Sequence, residues 1–421
     1  MRKLTEFYQK SEFFKNVLKL TSSSVFASII TFAALPVITR LYSKEDLGNF
    51  QILFSIIMIF GVVASLKYEM AIILPKDDDD ARHLTIGSVL SVCFVSLMAA
   101  LGFFLFDDFL FGLFDAVQLK GFSLFIGAGI FFTGLLQIVR YMLLRKKMFG
   151  ELATNKIYQA ASTQGVSIFW GFLQPNFSGL FAGFLIGTVI PIWLVWRKKI
   201  YHFNEISFSK LKKLLVYYRK FPLVNTSMVF LNNFSLELPV FMLSKFYGAD
   251  VVGLYMLANR LSVIPISLVG TSVSQVYFQA ASEAFNTNPS ELNKIYQKTI
   301  RKLSLIGLIP TAAIFFLAPL LVGFIYGAEW TSAGVYMKII IIGIYFRFVN
   351  SPISTTFSII DRQELGLVLV AISVIIRFVA MYIFRDTAEQ ILWALSISSA
   401  IFYAVFNYFI YLAIKKQEIR P

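Results

Sequence analysis

The chain has 421 residues, of which 57% are apolar and 15% are charged. A soluble globular protein carries about a quarter charged residues, so this composition excludes an ordinary water-soluble fold. The formal net charge of +14 is concentrated in loops between apolar runs, which indicates membrane topology rather than a nucleic-acid-binding surface.

Twelve apolar runs are each long enough to cross a bilayer core of about 30 Å as a helix. In chain order they cover residues 17–39, 47–66, 84–106, 121–144, 152–172, 178–196, 222–244, 250–278, 303–326, 332–357, 364–384 and 389–414. Residues 1–16 are basic and amphipathic, which predicts a helix lying at the membrane interface. Lys and Arg lie mainly in loops on the side of the N-terminus, so the positive-inside rule predicts that both termini are cytoplasmic.

A segment around the start of the second predicted span occurs twice in the chain. Pro36–Phe50 resembles Phe241–Tyr255 at an offset of 205 residues, which pairs Tyr42 with Tyr247. Each half contains six predicted spans. Because six is even, the second half would begin on the same side of the membrane as the first, as in parallel repeats. The sequence therefore predicts an all-α integral membrane protein with twelve transmembrane helices in two pseudo-symmetric six-helix bundles.

The longest basic loop separates the two halves. We predict an N-terminal bundle over residues 1–200, a basic cytoplasmic linker over 201–221 and a C-terminal bundle over 222–421. Leucines and lysines recur on opposite faces of the linker at helical spacing, which predicts an amphipathic helix on the anionic cytoplasmic surface. The acidic run Asp77–Asp80 lacks the spacing of a calcium-binding loop, and we interpret it as a solvated loop.

Ionisable residues at membrane depth are costly unless they face a partner or a cavity, so they are candidate functional residues. In the first half, Lys156 lies about one turn from the cytoplasmic edge, where its side chain can extend to water, and we assign it no role. The ionisable residues inside predicted spans of the second half are Glu237, Arg260, Lys338, Arg347 and Arg377. Lys338 and Arg347 lie on opposite faces of one helix, and we favour Arg347 as the cavity residue.

Polar side chains recur along one face of predicted spans one, two, seven and eight. They are Ser24, Ser28, Thr31, Gln51, Ser55, Asn225, Asn232, Asn233, Ser267 and Thr271. Single Ser and Thr residues in membranes often only join helices through hydrogen bonds. The charges of Arg260 and Glu237 favour the other interpretation, a polar cavity lined by these four spans.

The sequence contains no pattern of catalytic residues. The G-x-S-x-G and phosphate-binding-loop motifs are absent, and both histidines, His83 and His202, fall in cytoplasmic loops. The single cysteine, Cys93, permits neither an intramolecular disulfide nor a cysteine metal site. We therefore expect a transporter and not an enzyme, with no cofactor and no bound metal.

Several segments resemble one known family. RLYSKEDLG at Arg40–Gly48 and YEMAIILP at Tyr68–Pro75 are the most specific, and residues 221–243 and 253–283 extend the likeness. With these segments the chain resembles the bacterial polysaccharide flippases, which export O-antigen and capsule repeat units. They belong to the multidrug/oligosaccharidyl-lipid/polysaccharide exporter superfamily.

The resemblance implies a substrate and a location. The substrate would be an oligosaccharide on an undecaprenyl pyrophosphate carrier, flipped from the cytoplasmic to the outer leaflet of the bacterial inner membrane. Partners would be membrane lipids, a polysaccharide polymerase and chain-length proteins, with no nucleic acid. A pyrophosphate needs positive charge and polar donors, which Arg260, Arg347 and the polar faces supply.

Two carboxyl groups, Glu237 and Glu69, are candidates for proton coupling because a buried carboxyl can load and release a proton. One alternative function is drug or cation antiport within the same superfamily, although an arginine-bearing cavity would repel cations. Another alternative is a scaffold that organises a polysaccharide synthase without transporting anything. Buried charge on the polar faces disfavours the scaffold.

Overall fold

The structure is a computed structural model that describes the backbone of residues 2–198, 207–287 and 289–418. Side chains are described for residues 19–198, 207–264, 273–274, 276–285 and 291–416. All regular structure in these residues is helical. The helices are α1 (Arg2–Leu41), α2 (Lys44–Gly61), α3 (Tyr68–Ala71), α4 (Asp78–Leu105), α5 (Asp107–Leu113), α6 (Ser123–Arg145), α7 (Phe149–Leu173), α8 (Phe177–Trp196), α9 (Phe208–Tyr217), α10 (Thr226–Thr287), α11 (Pro289–Tyr326), α12 (Thr331–Ile353), α13 (Thr356–Ile359), α14 (Gln363–Ile383) and α15 (Ala388–Glu418).

Nine helices in the described part of the chain are long and apolar enough to cross a membrane. They cover Lys19–Leu41, Asp78–Leu105, Ser123–Arg145, Phe177–Trp196, Phe221–Ile264, Glu291–Tyr326, Ala328–Ile359, Gln363–Ile383 and Ala388–Lys416. The predicted spans at 47–66 and 152–172 fall on α2 and α7, and those at 222–244 and 250–278 share α10. The fold is therefore all-helical and multi-pass, while twelve spans and cytoplasmic termini stay predictions.

Both copies of the repeated segment contain a break between two helices, although the breaks are made differently. In the first copy, Ser43 caps α2: its hydroxyl oxygen accepts from Asp46 N at 3.0 Å, and Asp46 Oδ2 accepts from Ser43 N at 3.2 Å. In the second copy, Gly248 interrupts α10 with a φ of 78°, a left-handed conformation that glycine adopts without steric cost. Gly248 lies at the repeat offset of 205 residues from Ser43.

The tyrosine beside each break anchors it to a distant part of the same unit. Tyr42 donates its phenolic hydrogen to the carbonyl oxygen of Ser167 in α7 at 2.6 Å. Tyr247 makes the same kind of bond to the carbonyl oxygen of Arg385, just before α15, also at 2.6 Å. The paired tyrosines thus make equivalent contacts within their own units.

The first compact unit covers Met1–Glu237. In it α7 packs against α1 and α8, while α6 packs against α2, α4 and α8. Glycines allow α7 and α8 to approach closely: a Cβ at Gly183 would lie 2.0 Å from Ser167 Oγ, and one at Gly187 would lie 1.9 Å from Thr163 Oγ1. Small residues on one face are the usual means by which membrane helices pack tightly.

The second compact unit covers Leu238–Pro421. In it α12 packs against α11 and α15, and α14 packs against α15. One buried apolar cluster joins Tyr277, Leu292, Phe357 and Phe406. Tyr277 shares a hydrogen bond of 2.6 Å with Thr356 Oγ1, so the polar end of its ring is satisfied within the apolar surroundings.

The outward faces of the long helices are strongly apolar. Phe104 is 64% exposed, Phe316 is 75% exposed and Phe324 is 87% exposed. A soluble protein rarely leaves such continuous apolar surface in contact with water. These faces are suited to contact with lipid. The polar side chains of each unit must therefore make their contacts in the interior.

Candidate functional site

A break after α2 holds a buried ion pair. α2 ends at Gly61, and Leu66 and Lys67 then adopt left-handed conformations with φ of 50° and 59°. Lys67 Nζ lies 3.3 Å from Glu69 Oε1, and their side chains are only 8% and 0% exposed. Ser65 also donates its hydroxyl hydrogen to Glu69. Left-handed non-glycine residues cost about 1–3 kcal/mol each, so the buried contacts must stabilise this backbone.

A second polar group connects α2 with α10 inside the first unit. Gln51 Nε2 donates to Ser55 Oγ at 3.1 Å, and Ser55 Oγ donates to Glu237 Oε2 at 2.6 Å. Ser55 is completely buried and Gln51 is nearly so, whereas Glu237 is half-buried. Three residues singled out in the sequence are therefore in direct contact.

A third polar group consists of two cations on α6 and α7. Arg140 Nη2 donates to Gln159 Oε1 at 2.6 Å, and its Nε donates to Asn155 Oδ1 at 3.4 Å. Asn155 Nδ2 in turn donates to the carbonyl oxygen of Pro191 at 3.1 Å, which orients the amide oxygen toward Arg140. Lys156 Nζ donates to Ser24 Oγ of α1 at 2.9 Å.

Lys156 and Arg140 both depart from what the sequence indicated. Lys156 was expected to extend to water, but its ammonium group contacts Ser24, one of the predicted polar-face residues. Arg140 was not singled out at all, because it lies close to the end of its predicted span. A signal was present: Thr133, Gln137 and Arg140 recur at helical spacing on α6, as the polar residues do on the other spans.

The other candidates of the first unit have weaker contacts. Thr31 Oγ1 donates to Ala27 O at 3.0 Å and Asn233 Nδ2 donates to Val229 O at 2.8 Å, so both donors bond to their own helix. Asn232 is exposed, Ser28 is half-buried, and Asn225 closes a short π-helical turn. Bonds of this kind satisfy a polar side chain within its own helix, so the cavity role of these residues stays a prediction.

In the second unit, Arg260 on α10 and Arg347 on α12 are half-buried. Lys338 Nζ lies 4.9 Å from the centroid of the Phe315 ring, a cation–π contact that gives it an apolar location on α12. Ser267 and Thr271 lie outside the residues whose side chains are described. Their predicted cavity role stays a prediction.

The acidic run Asp77–Asp80 forms the N-cap and first turn of α4 rather than a loop, and Asp77 and Asp78 are exposed to solvent. Asp77 caps α4 by accepting from Asp79 N at 3.1 Å. Lys210 Nζ of α9 lies 2.5 Å from Asp79 Oδ2 and 2.7 Å from Asp80 Oδ1. The hydrogen bonds that Lys210 donates to these carboxylates raise its pKa above the ordinary lysine value. A lysine thus occupies the position among these carboxylates that a cation would take.

The predicted amphipathic helix of the linker is present as α9, and residues 199–206 of that linker lie outside the described residues. Leu211 is buried, and Tyr68 donates its hydroxyl hydrogen to the carbonyl oxygen of Leu215 at 3.1 Å. Ser207 N donates to His83 Nε2 at 3.2 Å. These contacts fix α9 against α3 and α4, so its apolar face is covered mainly by the protein.

Comparisons with known proteins identify a family for the chain and solved structures that share its fold. A family model described as "Polysaccharide biosynthesis protein" matches residues 37–334 of the chain. No curated protein matches the chain in sequence. Among solved structures, the fold is similar to lipid II flippase MurJ in an inward closed conformation, with a TM-score of 0.76 and 17% identity over 95% of this chain and 90% of that chain.

Transporters of a second kind share the fold. A multidrug resistance MATE family transporter of the MOP superfamily, in an inward-facing conformation, matches with a TM-score of 0.69 and 16% identity over 95% of this chain and 96% of that chain. A MOP superfamily transporter from Pyrococcus furiosus, described as having a binding pocket of reverse polarity, matches with a TM-score of 0.65 and 16% identity over 96% and 97%. At such identities the likeness shows the fold alone.

Proposed function

Because the chain belongs to the family of polysaccharide biosynthesis proteins, we propose that it flips a lipid-linked oligosaccharide across the membrane. The substrate is a repeat unit on undecaprenyl pyrophosphate, moved from the cytoplasmic to the outer leaflet of the bacterial inner membrane. The polymer made from it is an O-antigen, a capsule or an exopolysaccharide. A polymerase and chain-length proteins would receive the flipped unit.

One observation carries this proposal: a polysaccharide-family sequence, matched over residues 37–334, folds as a multi-pass helical protein. A saccharide built on a lipid in the cytoplasm has a head group too polar to cross hydrocarbon unaided. A helical protein with polar groups inside its bundles can carry that head group while the lipid tail stays in the bilayer. The fold shared with lipid II flippase MurJ supports a route in which the protein carries the head group and the bilayer keeps the tail.

The proposed head-group contacts use cations and neutral polar groups. Arginine binds pyrophosphate oxygens through paired N–H donors, and hydroxyl and amide groups suit the sugars. The residues proposed to line the path are Arg260, Arg347, Asn225, Asn232, Asn233, Ser24, Ser28, Thr31, Gln51, Ser55, Ser267 and Thr271. Alternating access, by movement of one half of the chain against the other, would expose the path to each side in turn.

Glu237 is the better candidate for proton coupling. Its partner Ser55 has a hydroxyl that can donate to a carboxylate and accept from a carboxylic acid, so the contact of 2.6 Å persists in both protonation states. Glu69 instead has a buried lysine partner, Lys67, at 3.3 Å, so its charge is compensated by the protein itself. Transport by Glu237→Gln should therefore no longer respond to a proton gradient, while an unchanged response would reject this role.

Drug or cation antiport is the second candidate, and the fold shared with MATE transporters favours it. A cationic substrate needs a carboxylate that is open to it. Glu69 is compensated by Lys67, and the half-buried cations Arg140 and Lys156 would repel positive charge from the first unit. Export of cationic dyes from cells that overproduce the protein, with no change in lipid-linked saccharides, would favour antiport.

The proposal is tested in cells depleted of the protein, by mass spectrometry of extracted undecaprenyl-linked saccharides. Flipping predicts that complete single repeat units accumulate and that surface polymer is lost, because polymerisation takes place on the outer side. An unchanged lipid pool would contradict it.

Complementation with point variants separates transport from scaffolding. Arg347→Ala should fail to restore polymer, whereas Lys338→Ala on the same helix should restore it, because Lys338 is packed against a phenylalanine ring. A scaffold needs neither charge, so normal polymer with Arg347→Ala, or with Arg260→Ala, would favour scaffolding.

A further inference from the structure

Two half-buried cations in the first unit lack an acidic partner. Among the residues whose side chains are described, neither Arg140 nor Lys156 has a carboxylate within ion-pair distance. Other cations of the same unit do: Lys67 pairs with Glu69, Arg145 with Asp78 at 3.0 Å and Lys210 with Asp79 at 2.5 Å. Among the described side chains of the first unit, these three cations are therefore neutralised, whereas Arg140 and Lys156 have no counter-charge at ion-pair distance.

The uncompensated cations are also close together. Arg140 of α6 donates to Asn155 and Gln159 of α7, and Lys156 directly follows Asn155 in the chain. Repulsion between two neighbouring cations at membrane depth is unfavourable unless an anion lies beside them. A bound anion beside them would screen the repulsion and supply the counter-charge that the described residues do not provide.

The neutral contacts leave donors available for such an anion. Arg140 uses Nε and one Nη2 hydrogen on Asn155 and Gln159, and Lys156 uses one ammonium hydrogen on Ser24. The remaining guanidinium and ammonium hydrogens have no acceptor among the described residues. Phosphate groups offer several charged oxygens in a small volume and match a guanidinium fork combined with a point charge.

The position of the pair suits a head group that arrives from one membrane surface. Arg140 lies five residues before the end of α6 at Arg145, and Lys156 lies seven residues after the start of α7 at Phe149. At 1.5 Å per residue, both are about 8–10 Å from the turn that joins the two helices. The positive-inside prediction places this turn on the cytoplasmic side.

We infer that Arg140 and Lys156, positioned by Asn155, Gln159 and Ser24, form a binding site for the phosphate groups of a membrane lipid at the cytoplasmic end of the first unit. The inference rests on the proposed function in one respect: it assigns the site to the pyrophosphate of the saccharide carrier. The same chemistry could serve the phosphate of an ordinary anionic phospholipid, and the test distinguishes the two.

The test is native mass spectrometry of the purified full-length protein titrated with undecaprenyl pyrophosphate, and separately with phosphatidylglycerol. Arg140→Gln and Lys156→Gln should each weaken binding of undecaprenyl pyrophosphate about tenfold, since each removes a charge-assisted hydrogen bond. Arg140→Lys and Lys156→Arg, which keep the charge, should bind more tightly than the glutamine variants. Lys213→Gln is the control, because it removes an exposed lysine from α9.

Melting temperatures of all variants accompany the titrations, and if Arg140→Gln does not fold, Lys156→Gln and Arg140→Lys carry the test. Unchanged affinity in the glutamine variants would overturn the site. An equal loss of affinity for phosphatidylglycerol would overturn its assignment to the carrier. Because binding is measured without transport, loss of binding together with an unchanged cellular lipid pool would reject flipping and leave the site standing.

Discussion

Positive charge lies inside the first unit in two different settings. At the break after α2, Lys67 is paired with Glu69, and both side chains are almost completely buried. On α6 and α7, Arg140 and Lys156 are half-buried, and their partners among the described side chains are all neutral. The first arrangement has its counter-charge built in and stabilises an unusual backbone. The second has donors left over, which is the condition expected of a site completed by a ligand.

The difference shows that a charged residue at membrane depth does not by itself mark a binding site. What distinguishes the two settings is whether the protein supplies the opposite charge. By this criterion Glu69 is a weaker candidate for proton coupling than Glu237, while Arg140 becomes a candidate for substrate contact.

Breaking the compensated pair should have the greatest consequence for folding. Lys67→Met leaves the Glu69 carboxylate buried without its partner, and loss of one member of a buried pair costs about 3–5 kcal/mol. We expect a large fall in melting temperature in detergent. The double variant Lys67→Met/Glu69→Gln should recover most of it, since no buried charge remains. A single variant as stable as the parent protein would show that the pair does not hold the break together.

Adding a carboxylate beside Arg140 should change substrate binding rather than stability. Gln159→Glu places a carboxylate where an amide oxygen now lies 2.6 Å from Arg140 Nη2. The new ion pair should keep or raise the melting temperature, while binding of undecaprenyl pyrophosphate falls about tenfold because an internal anion now competes for the arginine.

The control for that experiment is Gln159→Met, which removes the amide without adding charge and should reduce binding much less. If Gln159→Glu and Gln159→Met were equally impaired, geometry rather than charge compensation would explain the loss.

The sequence predicted the helices well and their side-chain contacts less well. Apolar runs locate helices because length and hydropathy act along the chain. The shared polar face of Gln51 and Ser55 was also predicted, but their contact with Glu237 is seen only in the structure. The pairing of Lys67 with Glu69 depends on a backbone break with left-handed residues, which no periodicity indicates. The neutral environment of Arg140 depends on which residues of α7 face it, and that is decided only by packing.

The smallest effect is expected at the surface, where Lys210 of α9 is paired with the carboxylates of Asp79 and Asp80. Lys210 is held by Asp79 and Asp80, which raise its pKa. The contribution of this contact to stability is therefore complete below the ordinary lysine pKa of about 10.4 and is lost as pH rises through the higher folded value. Hydrogen exchange of α9 should be constant between about pH 8 and about 9, after correction for the intrinsic rate, and should increase with salt because exposed ion pairs are screened.

Lys210→Gln should release α9 at neutral pH, whereas Lys213→Gln on the same helix should not. Equal protection of α9 in the two variants would show that apolar contacts such as that of Leu211, and not the acidic run, hold this helix.

The most direct test of the account is head-group movement in proteoliposomes that contain only the purified protein and a labelled undecaprenyl-pyrophosphate-linked oligosaccharide. Exposure of the saccharide to an enzyme added outside reports each flipping event. We predict that the parent protein and Lys213→Gln move the saccharide, and that Arg140→Gln/Lys156→Gln does not, although it is folded. Movement by the double variant at the parent rate, or no movement by the parent protein, would contradict the account.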